Sequence, residues 1–169
     1  MNKCVFLDRD GVINEERGTY TYRLEDFIII PGVKDAIRKL KDNGFLLVVI
    51  TNQAGITRGI FNVNDMRQCH EYMMKATDHL IDAIYYAEYY PEYSNSLLRK
   101  PDSLMFEKAI AKYNISPNQS WMIGNSERDM LPALKLGIKT VYIGKYIQHL
   151  NIDYYANDLA GAAKQIINH

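Results

Sequence analysis

Short apolar runs recur along this chain with segments of helical period between them, and that alternation restricts the fold more than any other feature. Cys4 to Leu7, Leu46 to Ile50, Ala83 to Ala87, Trp121 to Ile123 and Thr140 to Ile143 read as strands. Residues 33–43, 64–79, 104–113, 130–136 and 159–167 read as helices. Pro31-Gly32 stands before the first helix, Gly44 and Gly137 stand just past two helix ends, and Asn64 or Asp65 is an expected N-cap. Parallel strands need crossover connections, so strands alternating with helices imply a mostly parallel sheet covered on both faces. The expected architecture is α/β, a doubly wound three-layer, Rossmann-like parallel sheet. A length of 169 residues suits one domain over 1–169 and is short for two.

In open sheets of this kind, ligands bind beyond the carboxyl ends of the strands, so polar residues directly after apolar runs are the candidates for chemistry. Four segments qualify. In Leu7-Asp8-Arg9-Asp10-Gly11, two carboxylates two residues apart face the same way in extended chain, with Arg9 turned elsewhere. Asp8 could act as nucleophile and Asp10 as general acid and base, although an acidic turn after a strand is also common. Thr51-Asn52-Gln53 ends the second run with groups able to donate hydrogen bonds to a phosphoryl oxygen, or merely to start a polar loop. Arg99-Lys100 could neutralise a phosphoryl charge and grip a second anion, or be a solvated basic pair. Gly124-Asn125-Ser126-Glu127-Arg128-Asp129 offers oxygen ligands that suit magnesium, or a helix cap at Asn125 or Ser126.

Composition narrows the classes of partner. Twenty basic residues balance twenty acidic ones, so the global positive field that accompanies non-specific nucleic-acid or membrane binding is missing. No apolar run is long enough for a signal-peptide core or a membrane span. Two cysteines, Cys4 and Cys69, are too few for a disulfide framework and suit a reducing compartment, which makes the cytoplasm the expected location.

Taken in order, the four segments resemble the motifs of the haloacid dehalogenase superfamily: a nucleophilic Asp with a second Asp two residues on, then Ser/Thr, Lys and an acidic motif. The resemblance covers nearly the whole chain. It implies an aspartyl-phosphate mechanism in which Asp8 attacks, Asp10 is the acid/base, and Thr51 and Lys100 hold the phosphoryl group. It further implies a magnesium ion between Asp8, the Asp10 carbonyl and the fourth motif, with Asn125 and Asp129 as its donors there. Within the superfamily, Asp8-Arg9-Asp10-Gly11-Val12-Ile13-Asn14 and Thr51-Asn52-Gln53-Ala54-Gly55-Ile56-Thr57-Arg58-Gly59 are similar to the heptose-bisphosphate phosphatase branch, which also includes histidinol phosphatases. That likeness implies a small phosphorylated metabolite as substrate, contacted by Asn52, Arg58, Arg99 and the turn Arg17, Gly18, Thr19 and Tyr20. The spacing between motifs leaves no room for a separate cap domain.

Two departures from the branch carry consequences. Its structural zinc is often held by Cys-x-His and Cys-x-Cys, where this chain has Ala87, Tyr89, Ser96 and Leu98, so no zinc is expected and packing of Tyr89, Tyr90 and Leu98 should hold that loop. The fourth motif usually begins Gly-Asp, often followed by Lys, and here reads Gly124-Asn125-Ser126, which weakens the expected attraction for magnesium. Two rival functions therefore stand beside the hydrolase: a catalytically silent phosphosugar-binding protein, and a nucleic-acid 3'-end phosphatase, the latter disfavoured by balanced charge. The tyrosines from Tyr85 to Tyr93 are expected to pack rather than to bind sugar, and His70 and His79, nine residues apart on one helix, to take surface or capping roles. The oligomeric state is left open.

Overall fold

The computed structural model describes residues 1–169. One sheet of six strands runs β1 (Cys4–Leu7), β2 (Leu46–Asn52), β3 (Ala83–Ala87), β4 (Trp121–Gly124), β5 (Lys139–Ile143) and β6 (Tyr154–Ala156), in the spatial order β3-β2-β1-β4-β5-β6. Every neighbouring pair is parallel. The helices are α1 (Val33–Asp42), α2 (Val63–Ala76), α3 (Leu104–Tyr113), α4 (Glu127–Lys135) and α5 (Leu159–Ile167). None is long and apolar enough to cross a membrane.

The period of two along each strand sorts side chains into two cores. Val5, Leu7, Leu47, Val49 and Ile123 pack with α1, α2 and α5 on one face of the sheet. Cys4, Phe6, Val48, Ile50 and Met122 pack with α3 and α4 on the other. Both faces are therefore apolar, and the doubly wound three-layer expectation holds.

Three expectations shift. Strand β6 was not anticipated, because Tyr154–Ala156 is only three residues long and half-buried at the sheet edge. Helix α4 begins at Glu127 and not at 130, since Ser126 caps it and Asp129 reaches back to the Ser126 N–H in a capping box. Helix α2 likewise starts earlier, on Asn62, whose side chain accepts from Asn64 and Asp65 N–H while Asp65 returns the bond. It also stops at Ala76, because Asp78 and His79 turn into positive φ. Replacing the cap by Asn62→Ala should lower unfolding free energy by about 1 kcal/mol, read as a drop in the urea midpoint at unchanged slope.

Candidate active site

The three central strands, β2, β1 and β4, end side by side, and their next residues converge. Asp8 leaves β1 with its N–H still bonded to the Ile123 carbonyl of β4 at 3.0 Å. Thr51 and Asn52 close β2, and Asn125 follows β4. A cavity of about 510 Å³ opens over these ends. It is lined by Asp8, Asp10, Thr51, Asn52, Lys100 and Asn125 at its floor.

Lys100 arrives from the connection between β3 and α3 and is 2% exposed. Its ammonium donates to Asp8 Oδ1 at 2.8 Å and to the Ile50 carbonyl at 2.7 Å, and pairs with Asp129 Oδ1 at 2.6 Å. The three N–H donors of a lysine are thus all used. Asn52 fixes the backbone of the same residue, its Oδ1 accepting from Lys100 N–H at 3.1 Å and its Nδ2 donating to the Lys100 carbonyl at 3.0 Å. Burial opposes the charge on Lys100, yet Asp129 and Asp8 more than offset it and hold the ammonium above its ordinary pKa. Burial, followed by the charge of Asp129, pushes Asp8 up to about 7, against the opposing pull of Lys100. Asp129 is 1% exposed, and its other oxygen accepts from Ser126 N–H at 3.0 Å. Gly124 permits this approach, since a Cβ there would fall 2.5 Å from the Asp129 side chain. Asp129, expected among the magnesium donors, therefore has both oxygens engaged, one of them on Lys100.

Asp10 also has a partner that sequence reasoning set aside. Arg9 was expected to turn elsewhere, but its guanidinium meets the neighbouring carboxylate, and Nη2 donates to Asp10 Oδ1 at 2.9 Å and Oδ2 at 3.0 Å. Asn14 Nδ2 and Gln53 Nε2 add bonds to the same carboxylate at 2.9 and 3.5 Å. Gln53 also donates to the Thr51 hydroxyl at 2.9 Å. His70, expected in a surface or capping role, is buried against Arg9 because α2 turns its Met66, Cys69, His70 and Met73 face inward.

The wall of the cleft is cationic and aromatic. Gly18, Thr19, Tyr20, Arg58 and Arg99 line it as expected, whereas Arg17 does not and pairs with Asp26 at 2.8 Å. Arg58 donates to the Tyr20 hydroxyl at 3.2 Å, which holds its pKa up, and lies 4.7 Å from the Tyr90 ring centre. Arg99 donates to the Tyr89 carbonyl at 3.3 Å and so ties the loop after β3 to the cleft. Leu98 packs on the second core, as expected of that loop. Glu16, Ser126 and Arg128 also line the cavity and were missed. Arg128 falls within the fourth motif, yet with the helix expected to begin at 130 nothing marked it as a first-turn cation beside the cleft. Its charge, after burial, lowers the Arg99 pKa, so the two guanidiniums repel across the cleft.

Residues 7–143 match the haloacid dehalogenase-like hydrolase family, more than half of the chain. The chain belongs to that family. Among its relatives, a D-glycero-beta-D-manno-heptose-1,7-bisphosphate 7-phosphatase from Haemophilus ducreyi is 42% identical over 147 residues, 82% of this chain and 80% of that protein. One of the same name from Helicobacter pylori strain J99 is 38% identical over 142 residues, covering 82% of this chain and 80% of its own length. The crystal structure of a D,D-heptose 1.7-bisphosphate phosphatase from B. bronchiseptica, complexed with magnesium and phosphate, superposes with a TM-score of 0.88 at 26% identity over 98% of both chains.

Family members of this haloacid dehalogenase-like type raise the question of a divalent ion, and the donor set here suits one. Asp8, the Asp10 carbonyl and the Asn125 amide are hard oxygen donors of the kind magnesium takes few of while keeping its waters. Asn125 lies directly over the turn of Gly11, which has φ of +79° and where an added Cβ would sit 2.0 Å from Nδ2. The amide is thereby held beside the Asp10 backbone, and any side chain at position 11 would displace it.

Proposed function

We propose that the chain hydrolyses a phosphate monoester through a phosphoaspartyl intermediate on Asp8, and that its substrate is a sugar bisphosphate of the heptose-1,7-bisphosphate class. The observation that carries this reading is the buried ammonium of Lys100, fixed at 2.8 Å from Asp8 and 2.6 Å from Asp129. It places a preorganised positive charge beside the nucleophile, where a transferring phosphoryl group gathers negative charge. Relatives at 36% to 42% identity named as 7-phosphatases support the substrate class.

In this scheme a carboxylate oxygen of Asp8 forms the new bond to phosphorus as the ester P–O bond breaks. Asp10 gives a proton to the departing alcohol oxygen, then takes one from the water that attacks the phosphoaspartate. The Thr51 hydroxyl and Lys100 hold the phosphoryl oxygens. Magnesium held by Asp8, the Asp10 carbonyl and Asn125 would add charge neutralisation at those oxygens when bound. Asp129 serves by orienting Lys100, and Asn52 by holding the Lys100 backbone. Arg58, Arg99 and the Gly18 to Tyr20 turn contact the remainder of the substrate in an open cleft of a single domain spanning 1–169. No zinc takes part, because Ala87, Tyr89, Ser96 and Leu98 offer no suitable ligand set. Stoichiometric zinc retained after chelation would refute that.

The test is phosphate release from heptose 1,7-bisphosphate, other sugar mono- and bisphosphates, histidinol phosphate and a 3'-phosphorylated oligonucleotide, each with magnesium and with chelator. Turnover that is magnesium-dependent and best on a sugar bisphosphate supports the reading, and preference for the oligonucleotide would replace it. Asn125 favours one rival, a binding protein that has lost turnover, and this is separable. Asn125→Asp should lower the magnesium concentration for half-maximal rate by about ten-fold, since one more negative charge a few ångströms from a dication contributes on the order of 1–2 kcal/mol. A phosphosugar that binds the wild type unhydrolysed, with turnover appearing only in Asn125→Asp, would favour the binding protein.

A further inference from the structure

Behind the cleft, Arg9 heads the largest fully buried side chains, and the hydrolytic scheme leaves it unused. A buried guanidinium needs acceptors for five N–H groups. Nε and Nη2 meet Asp10 Oδ1 at 3.3 and 2.9 Å, and Nη2 also donates to the Thr21 carbonyl at 2.8 Å. The Phe27 ring lies 5.3 Å from the guanidinium carbon. Nη1 faces Nε2 of His70 at 3.4 Å. Arginine cannot accept a hydrogen bond, so Nε2 of His70 carries the lone pair and its ring proton sits on Nδ1. Burial pushes the His70 pKa down to about 3, in keeping with a neutral acceptor.

Asp10 is met by donors alone: Arg9, Asn14 Nδ2 at 2.9 Å and Gln53 Nε2 at 3.5 Å. This arrangement matters because Asp10 has two duties in one place. Its main-chain carbonyl is a candidate donor to a cation, while its side chain must face the leaving oxygen. A free carboxylate would turn to the cation instead.

We infer that His70 is a positioning residue: by supplying the acceptor for Nη1 it centres Arg9, and Arg9 in turn fixes the rotamer of the Asp10 carboxylate. The inference rests on Asp10 being the acid/base of the proposed reaction. Position 70 thereby acts on the chemistry from the far side of Arg9 without touching substrate.

The experiment compares wild type, His70→Phe and His70→Gln in steady-state phosphate release with magnesium, alongside urea unfolding and nitrogen-15 spectra of the arginine side chains. His70→Phe keeps a flat ring and removes the acceptor; kcat should fall on the order of 10- to 100-fold with KM little changed, the size expected for a misplaced catalytic group. His70→Gln, whose amide oxygen can accept from Nη1, should recover most of that rate. The Arg9 Nε–H signal should move and exchange faster in His70→Phe and in Asp10→Asn, but not in His70→Gln. Wild-type kcat in His70→Phe with unmoved Arg9 signals overturns the inference, as does an equal loss in both variants that simply follows stability. If wild type itself releases no phosphate, the hydrolase reading fails, and the Arg9 spectra alone then decide the coupling.

Discussion

With saturating magnesium and a sugar bisphosphate, Asp8→Asn should release phosphate at least about 10⁴-fold more slowly than wild type, because an amide cannot form the phosphoaspartyl bond. The same change should not harm the fold. Asn keeps the volume of Asp, and Lys100 retains Asp129 at 2.6 Å and the Ile50 carbonyl at 2.7 Å. In metal-free protein it should even stabilise. Burial and the charge of Asp129 raise Asp8 from 3.8 to about 7 on folding. A carboxyl whose folded pKa lies above its unfolded value subtracts stability once the unfolded chain would ionise it. The penalty grows from about pH 4 and is complete above about pH 7. Melting curves in chelator should therefore show Asp8→Asn above wild type at pH 8, with the gap closing toward pH 4. A gap that persists unchanged at pH 4 would mean that the ionisation of Asp8 is not its source.

Removing the cation has the opposite effect on stability. Lys100→Met fills a similar volume but leaves Asp8 and the wholly buried Asp129 facing each other without a counter-charge. Losing one partner of a buried ion pair costs about 3–5 kcal/mol, so the urea midpoint of the metal-free protein should fall steeply, and turnover should be lost with it. Adding Asp129→Asn to Lys100→Met should restore a large part of the lost stability, since the amide can still accept from Ser126 N–H. It should restore no turnover. If the double variant is no more stable than Lys100→Met, packing and not charge is what Lys100 contributes.

Much of this was legible in the chain because the relevant signals are local. Consecutive apolar residues mark β1 to β5, and the polar residues that break the runs of β1, β2 and β4 are those that meet at the sheet's carboxyl ends. What escaped is set by distance. Nothing near Tyr154–Ala156 distinguishes a short edge strand from a turn until β5 is there to pair with it. Arg9 was expected to point elsewhere, but its side chain is long enough for the guanidinium to reach the neighbouring Asp10 carboxylate. His70, by contrast, falls in register with Met66, Cys69 and Met73 at the i, i+3, i+4, i+7 spacing of one buried helix face, a local signal that its polar side chain obscured. Asp129 was expected among the magnesium donors from its spacing; its pairing with Lys100 and with Ser126 N–H depends on segments brought together only by the fold.

The placement of β1 in the middle of the sheet also bears on when the protein can become active during its own synthesis. The strand that carries Asp8 precedes the other five in the chain, yet it pairs on one side with β2 and on the other with β4, which starts at Trp121. Until that segment leaves the ribosome, the nascent chain holds a partial sheet of β1, β2 and β3 with one apolar edge open and Lys100 lacking its Asp129 anchor. Such an edge is a target for chaperones and for other nascent chains. Asp8 is thus translated long before the residues that surround it, and the cleft waits for β4 and α4 to follow.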